Sequence, residues 1–215
     1  MGGRGGILMK RFWTVVALTV ILVSALFASM SDVKNASKNL QSIQCYVRAE
    51  NHAGSRKAVV EFWFYYERNG KKMRIEYTYP KNMKGSIIAI DGKNFYSYIP
   101  SLNKKIKKPL GQNTKNPGKD MGLLYNFVLG DFYEVIEKSK VNFIGQENVK
   151  VLGKTVKAFH YKVKTSDNVQ EIWFDEKTLF PIKIEIYVKG KLRVVLQVSQ
   201  IAVNPKFEEK IFQPF

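Results

Sequence analysis

The sequence contains few of the residue types from which metal centres and nucleophilic sites are usually built. Its 215 residues include one cysteine, Cys45, and two histidines, His52 and His160. A single cysteine excludes an internal disulfide and any zinc site with several thiolate ligands. Two histidines far apart in the chain make most histidine-based catalytic arrangements improbable. We therefore expect no metal and no cofactor.

Acidic residues are also scarce. There are 35 Lys and Arg against 18 Asp and Glu, which gives a formal charge of +17. A surface with this balance favours anionic partners such as acidic lipid, an acidic polymer or nucleic acid.

Motifs for nucleophilic or metal-dependent catalysis are missing. There is no GxSxG or HExxH, and the trio Gly153-Lys154-Thr155 lacks the upstream glycine of a phosphate-binding loop, because Asn148 occupies that place. The carboxylates in predicted strands share their faces with Lys and Arg, so we interpret them as partners in ion pairs on solvated faces: Glu61, Glu76, Glu171, Asp175 and Glu185. The sequence therefore predicts a protein that is not an enzyme.

One long apolar run is present, and it lies near the N-terminus. Residues 12–27 carry no charge, follow Arg4, Lys10 and Arg11, and precede small residues. This is the order of a secretory signal. Sixteen residues of helix span about 24 Å, less than the roughly 30 Å of a bilayer core. We predict a signal peptide over residues 1–31, with an uncleaved N-terminal membrane anchor as the alternative.

The remaining residues 32–215 are predicted to form one exported domain, soluble after cleavage and monomeric. Removing residues 1–31 takes away three basic residues and no acidic one, so the formal charge becomes 32 − 18 = +14. The basic surface therefore belongs to the domain and not to the signal.

The dominant period from residue 41 onward is two, which is typical of strands. Asn69-Gly70, Asp91-Gly92 and Lys189-Gly190 separate alternating runs and favour tight hairpin turns. Strands that follow one another at roughly ten-residue spacing predict an antiparallel meander. The fold class is therefore mainly β (α+β), a curved antiparallel sheet or barrel.

Two segments depart from this period. Residues 33–44 are compatible with a short helix, and residues 120–138 have apolar side chains at helical spacing. Between the strands and the second of these segments, residues 102–119 are predicted to form a long polar loop. Its basic residues would lie beside the opening of any cavity on the concave face of the sheet and contact a partner: Lys104, Lys105, Lys107 and Lys108.

One face of the predicted sheet is unusually rich in bulky apolar residues. Such a face can be a filled core or the wall of a cavity for an apolar ligand, and periodicity does not separate the two. The candidate ligand-binding residues, including those from the helical segment, are Val60, Phe62, Phe64, Tyr66, Ile75, Tyr77, Tyr79, Phe95, Leu124, Phe127, Val128, Phe159, Tyr161, Ile172, Phe174, Ile184 and Ile186.

Four segments together resemble the LolA family of periplasmic lipoprotein carriers, whose superfamily includes RseB-like and mycobacterial lipid-binding proteins. The first is an aromatic strand ending in Arg68, followed by Met73-Arg74-Ile75-Glu76 and Pro80. The second is the hairpin from Ile90-Asp91-Gly92 to Pro100. The third is Ile172-Trp173-Phe174-Asp175 with Leu179-Phe180-Pro181. The fourth is Ile201-Ala202-Val203-Asn204-Pro205, followed by Phe207 and Phe212.

This resemblance implies a half-open antiparallel β-barrel with short helices as a lid over an apolar concave face. The cavity would hold the acyl chains of lipoproteins or another lipid. An inner-membrane transporter would release the cargo to the carrier, and an outer-membrane acceptor would take it. In the family an arginine on the second strand holds the lid through lid backbone groups. Arg68 is nearest to that position, and Arg74 is the rival.

The sequence leaves three other functions open. One is an envelope protein that binds lipid or glycolipid without carrying lipoproteins. Another is an RseB-like regulator of envelope stress that binds a membrane partner, although such proteins usually carry a further C-terminal domain. The third is a polyanion-binding module that uses aromatic residues on the solvent face: Trp63, Tyr65, Tyr96 and Tyr98. Because we expect export, we predict no nucleic-acid partner.

Overall fold

The computed structural model describes residues 30–53, 56–110, 140–164 and 168–215. Three predictions fall wholly or largely outside them: the signal over residues 1–31, of which only residues 30 and 31 are described, the segment with helical spacing at 120–138, and the cavity residues Leu124, Phe127 and Val128.

The described residues form one α-helix, eleven strands and two short 3-10 helices, Pro100–Leu102 and Glu209–Ile211. Helix α1 is Met30–Asn39. The strands are β1 Ser42–Ala53, β2 Arg56–Glu67, β3 Lys72–Tyr79, β4 Ile87–Ile90, β5 Asn94–Ile99, β6 Lys104–Pro109, β7 Lys140–Val151, β8 Lys154–Lys164, β9 Asn168–Asp175, β10 Pro181–Val188 and β11 Lys191–Val203. The short helix predicted within residues 33–44 therefore exists, but it begins at Met30 and gives way to β1 at Ser42.

All eleven strands belong to one curved antiparallel sheet, which confirms the predicted fold class. The order is β6-β5-β4-β3-β2-β1-β11-β10-β9-β8-β7. Each strand pairs with the next strand in sequence, except that β6 does not pair with β7, and β1 also pairs with β11 at the centre. This pairing joins an N-terminal half, β1 to β6, to a C-terminal half, β7 to β11, and leaves β6 and β7 as edges.

The main core lies on the inner face of this sheet. Alternation places Phe62, Phe64 and Tyr66 of β2 inside, and Phe159, Tyr161 and Val163 of β8 join them from the other half. Helix α1 covers part of the face with Val33, which is fully buried, and Leu40 follows it into the core. Side chains from both halves therefore form a single apolar cluster.

The outer face is covered in two places that the sequence did not indicate. In the C-terminal half, a second apolar cluster contains Val149, Val151, Ala158, Trp173 and Ile182. In the N-terminal half, residues 204–215 lie against the sheet, with Phe207 beside Tyr65 and Phe215 beside Tyr96 and Tyr98. The interpretation of Tyr96 as a solvent-facing stacking residue is wrong, because only 1% of it is exposed.

The predicted polar loop over residues 102–119 is wrong for its first part. Residues 104–109 form the edge strand β6, which pairs with β5 from Asn94↔Pro109 to Ile99↔Lys104. A tight turn at Pro100–Leu102 returns the chain. Lysine is uncommon within strands, but an exposed edge tolerates it because its side chains reach water on both faces.

Within the described residues, no helix combines the length and the apolar character needed to cross a bilayer.

Candidate functional site

The inner face of the sheet brings together most of the residues predicted to line a ligand site. Phe62, Phe64, Tyr66, Ile75, Phe159, Tyr161, Ile172, Phe174 and Ile184 are buried in one cluster, and Val60, Tyr77, Phe95 and Ile186 are partly buried against it. Whether these side chains contact a ligand stays a prediction.

Strand register explains why residues so distant in sequence meet. Tyr161, Ile172, Ile184 and Leu196 lie opposite one another across β8 to β11, and Leu196 continues through Ala49 to Val60. Side chains at paired positions of neighbouring strands point to the same face. The central pairing of β1 with β11 thus makes one unbroken apolar row from two separate meanders.

Tyr79 does not join this cluster. Its side chain is 49% exposed at the end of β3. The register shifts between Glu61 and Phe62, so that Tyr79 lies opposite Glu61, and Tyr77 lies opposite Phe62. Such a bulge changes the facing of residues beyond it, and plain alternation gives no sign of it.

Helix α1 lies over the inner face and is too short to be stable alone. Val33 and Ser37 are its buried residues, and Met30 packs on the core. Burial raises the pKa of Tyr161, and the charge of Asp32 raises it further, so the first turn of the helix lies near β8. Packing and end contacts therefore hold α1 in place.

Arg68 fastens the C-terminal end of α1. Its Nη1 donates to the carbonyl oxygen of Lys38 at 2.5 Å, and its Nη2 donates to that of Ser37 at 2.8 Å. The last carbonyls of a helix have no partner within the helix, and the helix dipole favours a cation there. The guanidinium therefore satisfies the carbonyl of Lys38 and adds a second hydrogen bond to that of Ser37, which also accepts one from the amide of Leu40 at 3.3 Å.

Arg74, the rival for this position, fastens a different segment. It lies on the outer face, where Nη1 donates to the carbonyl of Ile211 at 3.0 Å and Nη2 contacts Glu76 at 2.6 Å. Arg74 thus holds the C-terminal segment, whereas Arg68 holds the helix over the inner face.

The four lysines of β6 divide between the faces. Lys104 and Lys108 lie opposite Ile99 and Phe95, on the inner side. On the outer side, Lys105 Nζ is 5.4 Å from the ring centre of Phe215, and Lys107 Nζ is 5.4 Å from that of Tyr96. Their predicted contact with a partner is not tested by this arrangement.

Four of the five carboxylates that the sequence predicted to form ion pairs do so. Arg48 contacts Glu61, Arg74 contacts Glu76, Lys162 contacts Glu171 and Lys183 contacts Glu185. Burial alone would raise the pKa of Glu185, but hydrogen bonds from Lys183 and Tyr187 and nearby positive charge outweigh it and lower the pKa. Asp175 instead accepts hydrogen bonds within a turn, from the backbone of Lys177 and Thr178 and the hydroxyl of Thr178.

A polar cavity of about 370 Å³, which sequence reasoning missed, lies at the β2–β3 and β4–β5 turns. It is lined by Gly70, Lys72, Asp91, Gly92, Lys93, Glu209, Phe212 and Gln213. Gly92 has φ +91°, and a Cβ there would collide with the carbonyl oxygen of Gly70, so only glycine fits between the turns. The cavity is polar and separate from the apolar inner face.

Comparison with known proteins gives matches in structure alone. No protein-family model matches the sequence, and no curated protein matches it. An uncharacterized conserved protein of Thermus thermophilus has a TM-score of 0.55 at 14% identity, over 87% of this chain and 94% of that chain. MucB in the MucA/MucB complex of Pseudomonas aeruginosa has a TM-score of 0.51 at 16% identity, over 86% of this chain and 59% of that chain.

A LolA superfamily protein of Nitrosomonas europaea matches with 14% identity over 86% of this chain and 98% of that chain, at a TM-score of 0.38. The chain shares its fold with the Thermus thermophilus protein and with MucB, whose TM-scores exceed 0.5, and this fold is LolA-like. The resemblance predicted from sequence is therefore confirmed for the fold. At such low identities the similarity concerns the fold and does not assign a ligand.

Proposed function

We propose that this chain is a periplasmic carrier that holds lipoprotein acyl chains against its inner face and moves them from the inner to the outer membrane. The observation that supports this most directly is a continuous apolar face, formed by both halves of the sheet and covered in part by the short helix α1, which Arg68 fastens. An inner-membrane transporter would deliver the cargo and an outer-membrane acceptor would receive it.

The energetics of an acyl chain fit such a face. Each methylene removed from water contributes about 0.8 kcal/mol. The inner face offers aromatic and branched aliphatic side chains to this surface, and it holds few polar groups that would lose hydrogen bonds to water. Cargo entry would require α1 to leave its place, and cargo release would be favoured by its return.

The hold on α1 is of a suitable size for a movable element. A hydrogen bond to a charged group contributes about 1.5–3 kcal/mol when well shielded and less where water competes. Arg68 supplies two such bonds, and one of them is exposed to solvent. In this proposal the protein performs no catalytic step, since binding and release need only the movement of the helix.

Removing the Arg68 contacts should make the inner face more accessible. We expect Arg68→Ala to raise the uptake rate of a fluorescent acyl probe about 10-fold, because roughly 1.4 kcal/mol less would hold the helix. Stopped-flow fluorescence on the protein purified from cells in the form in which it is made would measure this rate.

Arg74→Ala is the matched control, since it removes an arginine that binds the C-terminal segment on the opposite face. We expect an unchanged uptake rate. Equally faster uptake in both variants would indicate general loosening of the fold. Unchanged uptake by Arg68→Ala would contradict the role of Arg68 in holding α1. Failure of the unmodified protein to take up the probe would contradict the carrier itself.

A second candidate is a regulator that binds a membrane partner, favoured by the similarity to MucB, which has been solved together with MucA. A third is an envelope protein that binds lipid or glycolipid without carrying lipoproteins. Mass spectrometry of lipids extracted with the purified protein separates these. Acylated peptide supports the carrier, free phospholipid or glycolipid supports the lipid binder, and a ligand-free mass supports the regulator.

A further inference from the structure

Basic residues accumulate at one end of the sheet. In an antiparallel meander, alternate turns lie at the same end. One end of the sheet contains three turns: β3–β4 (residues 80–85), β5–β6 (100–103) and β10–β11 (189–190). The same end contains the start of β7 and the end of β8, where Lys140 lies opposite Lys164. We call these turns and strand ends the lysine end.

The lysine end carries eight exposed bases. None of them has a carboxylate within 4 Å among the described residues: Lys81, Lys84, Lys104, Lys105, Lys140, Lys164, Lys189 and Lys191. The carboxylates on the β1–β2 hairpin do not offset them, because Glu50 already pairs with Lys57, and Glu61 pairs with Arg48. The charges therefore add to one positive field.

The opposite end of the sheet has mixed charge. Its turns and the C-terminal segment include the acidic residues Glu67, Asp91, Asp175, Glu176, Glu208 and Glu209 beside their lysines. The positive field is thus directed toward one side of the molecule.

Exposed apolar side chains accumulate near the same end. Leu102, in the β5–β6 turn, is 68% exposed, and Tyr79, at the end of β3, is 49% exposed. Phe143 and Ile144 follow the start of β7 and are 41% and 54% exposed. Single exposed apolar residues are ordinary, but four of the six large ones in the described chain lie here, among lysines.

We propose that the lysine end docks on the surface of a bilayer that contains anionic phospholipid. Lysines near such a surface are attracted to its negative potential, while leucine and aromatic side chains enter the boundary between head groups and acyl chains. A polyanion in solution would use the charges but would leave Leu102 in water. The inference goes beyond the carrier proposal, since it does not require the inner face to hold any ligand.

Charge reversal at the two ends provides a direct test. We expect Lys81→Glu, Lys84→Glu, Lys104→Glu and Lys105→Glu together to weaken binding to phosphatidylglycerol/phosphatidylcholine vesicles about 100-fold or more. The control reverses four exposed bases at the opposite end and in the C-terminal segment: Lys150, Lys154, Lys177 and Lys206. Both variants have the same net charge, so we expect the control to lose less than about 5-fold.

Vesicle sedimentation at physiological salt would measure these affinities. The protein is purified in the form in which cells make it, so any contribution of its N-terminal residues to vesicle binding is the same in all variants. Equal loss at both ends would overturn the proposal in favour of attraction by net charge. Absence of binding by the unmodified protein would also overturn it.

Insertion of Leu102 is tested by a fluorescent label. Cys45 is fully buried and its thiol pKa is raised by burial, so it should not react with the label. We expect an environment-sensitive dye on Leu102→Cys to shift to shorter wavelength with anionic vesicles, and the same dye on Lys206→Cys to stay unchanged. A shift at residue 206 and none at residue 102 would reverse the proposed orientation and refute it.

Discussion

Phe174→Ala is expected to lower the free energy of unfolding by about 3–5 kcal/mol. Phe174 is fully buried on β9, between β8 and β10, and its ring meets that of Tyr161 edge to face with centroids 5.7 Å apart. Alanine would remove the apolar contacts and leave a cavity that the paired strands on both sides cannot close. Urea unfolding followed by circular dichroism would measure the loss.

Phe143→Ala is the matched control for this substitution. Phe143 lies on the edge strand β7, is 41% exposed and also contacts Tyr161, with ring centroids 5.1 Å apart. Because much of its surface is already in water, we expect a loss of about 1 kcal/mol. Similar losses for both variants would mean that the inner face is not a packed core. A changed dependence on urea would point instead to an altered unfolded state.

The sheet could be predicted because its signals are local. Strand β2 alternates between large apolar residues and others, and Asn69-Gly70 closes the hairpin that follows. Both signals depend only on the two-residue period of a strand and on the positive φ that a tight turn requires. The same reasoning assigned Phe62, Phe64 and Phe174 to one buried face.

Coverage of the outer face could not be predicted. Alternation shows that a strand has two faces, but it does not show what packs on each. Alternation places His160 on the polar face of β8, but its ring is buried and stacks on Trp173 with centroids 4.3 Å apart. Tyr96 is buried partly by Phe215, more than one hundred residues away. Only the tertiary path of the C-terminal segment decides the burial of Tyr96.

The candidate site likewise combines features that have local sequence signals with features that have none. Register follows from turn positions, so the apolar rows were within reach of the sequence. The bulge that leaves Tyr79 exposed has no local marker. The resemblance implied that Arg68 holds a lid through backbone groups, but neither resemblance nor spacing indicated that its partner would be α1, about thirty positions earlier in the chain.

Asp91→Ala is expected to lower the free energy of unfolding by about 2–4 kcal/mol. Oδ1 of Asp91 accepts hydrogen bonds from the backbone amides of Lys93 and Asn94 at 2.9 and 2.7 Å, and Oδ2 accepts one from the hydroxyl of Tyr96 at 2.7 Å. Alanine would leave the hydroxyl of the buried Tyr96 without this acceptor. Asp175→Ala is the control, because its comparable turn is exposed and should cost about 1 kcal/mol.

The charge of Asp91 should make this contribution depend on pH. Partial burial raises the pKa of its carboxyl, but the hydrogen bonds from Tyr96, Asn94 and Lys93 outweigh that effect and hold the pKa well below its ordinary value. A carboxyl with a lowered pKa in the folded state stabilises the protein above the unfolded pKa of about 3.9. That stabilisation is lost as the pH falls through the folded pKa.

We therefore expect the stability difference between the unmodified protein and Asp91→Asn to be constant from about pH 7 to about pH 5 and to shrink below about pH 4. Urea unfolding at several pH values would measure it, and a difference that persists undiminished at about pH 2 would assign the effect to side-chain shape and not to charge.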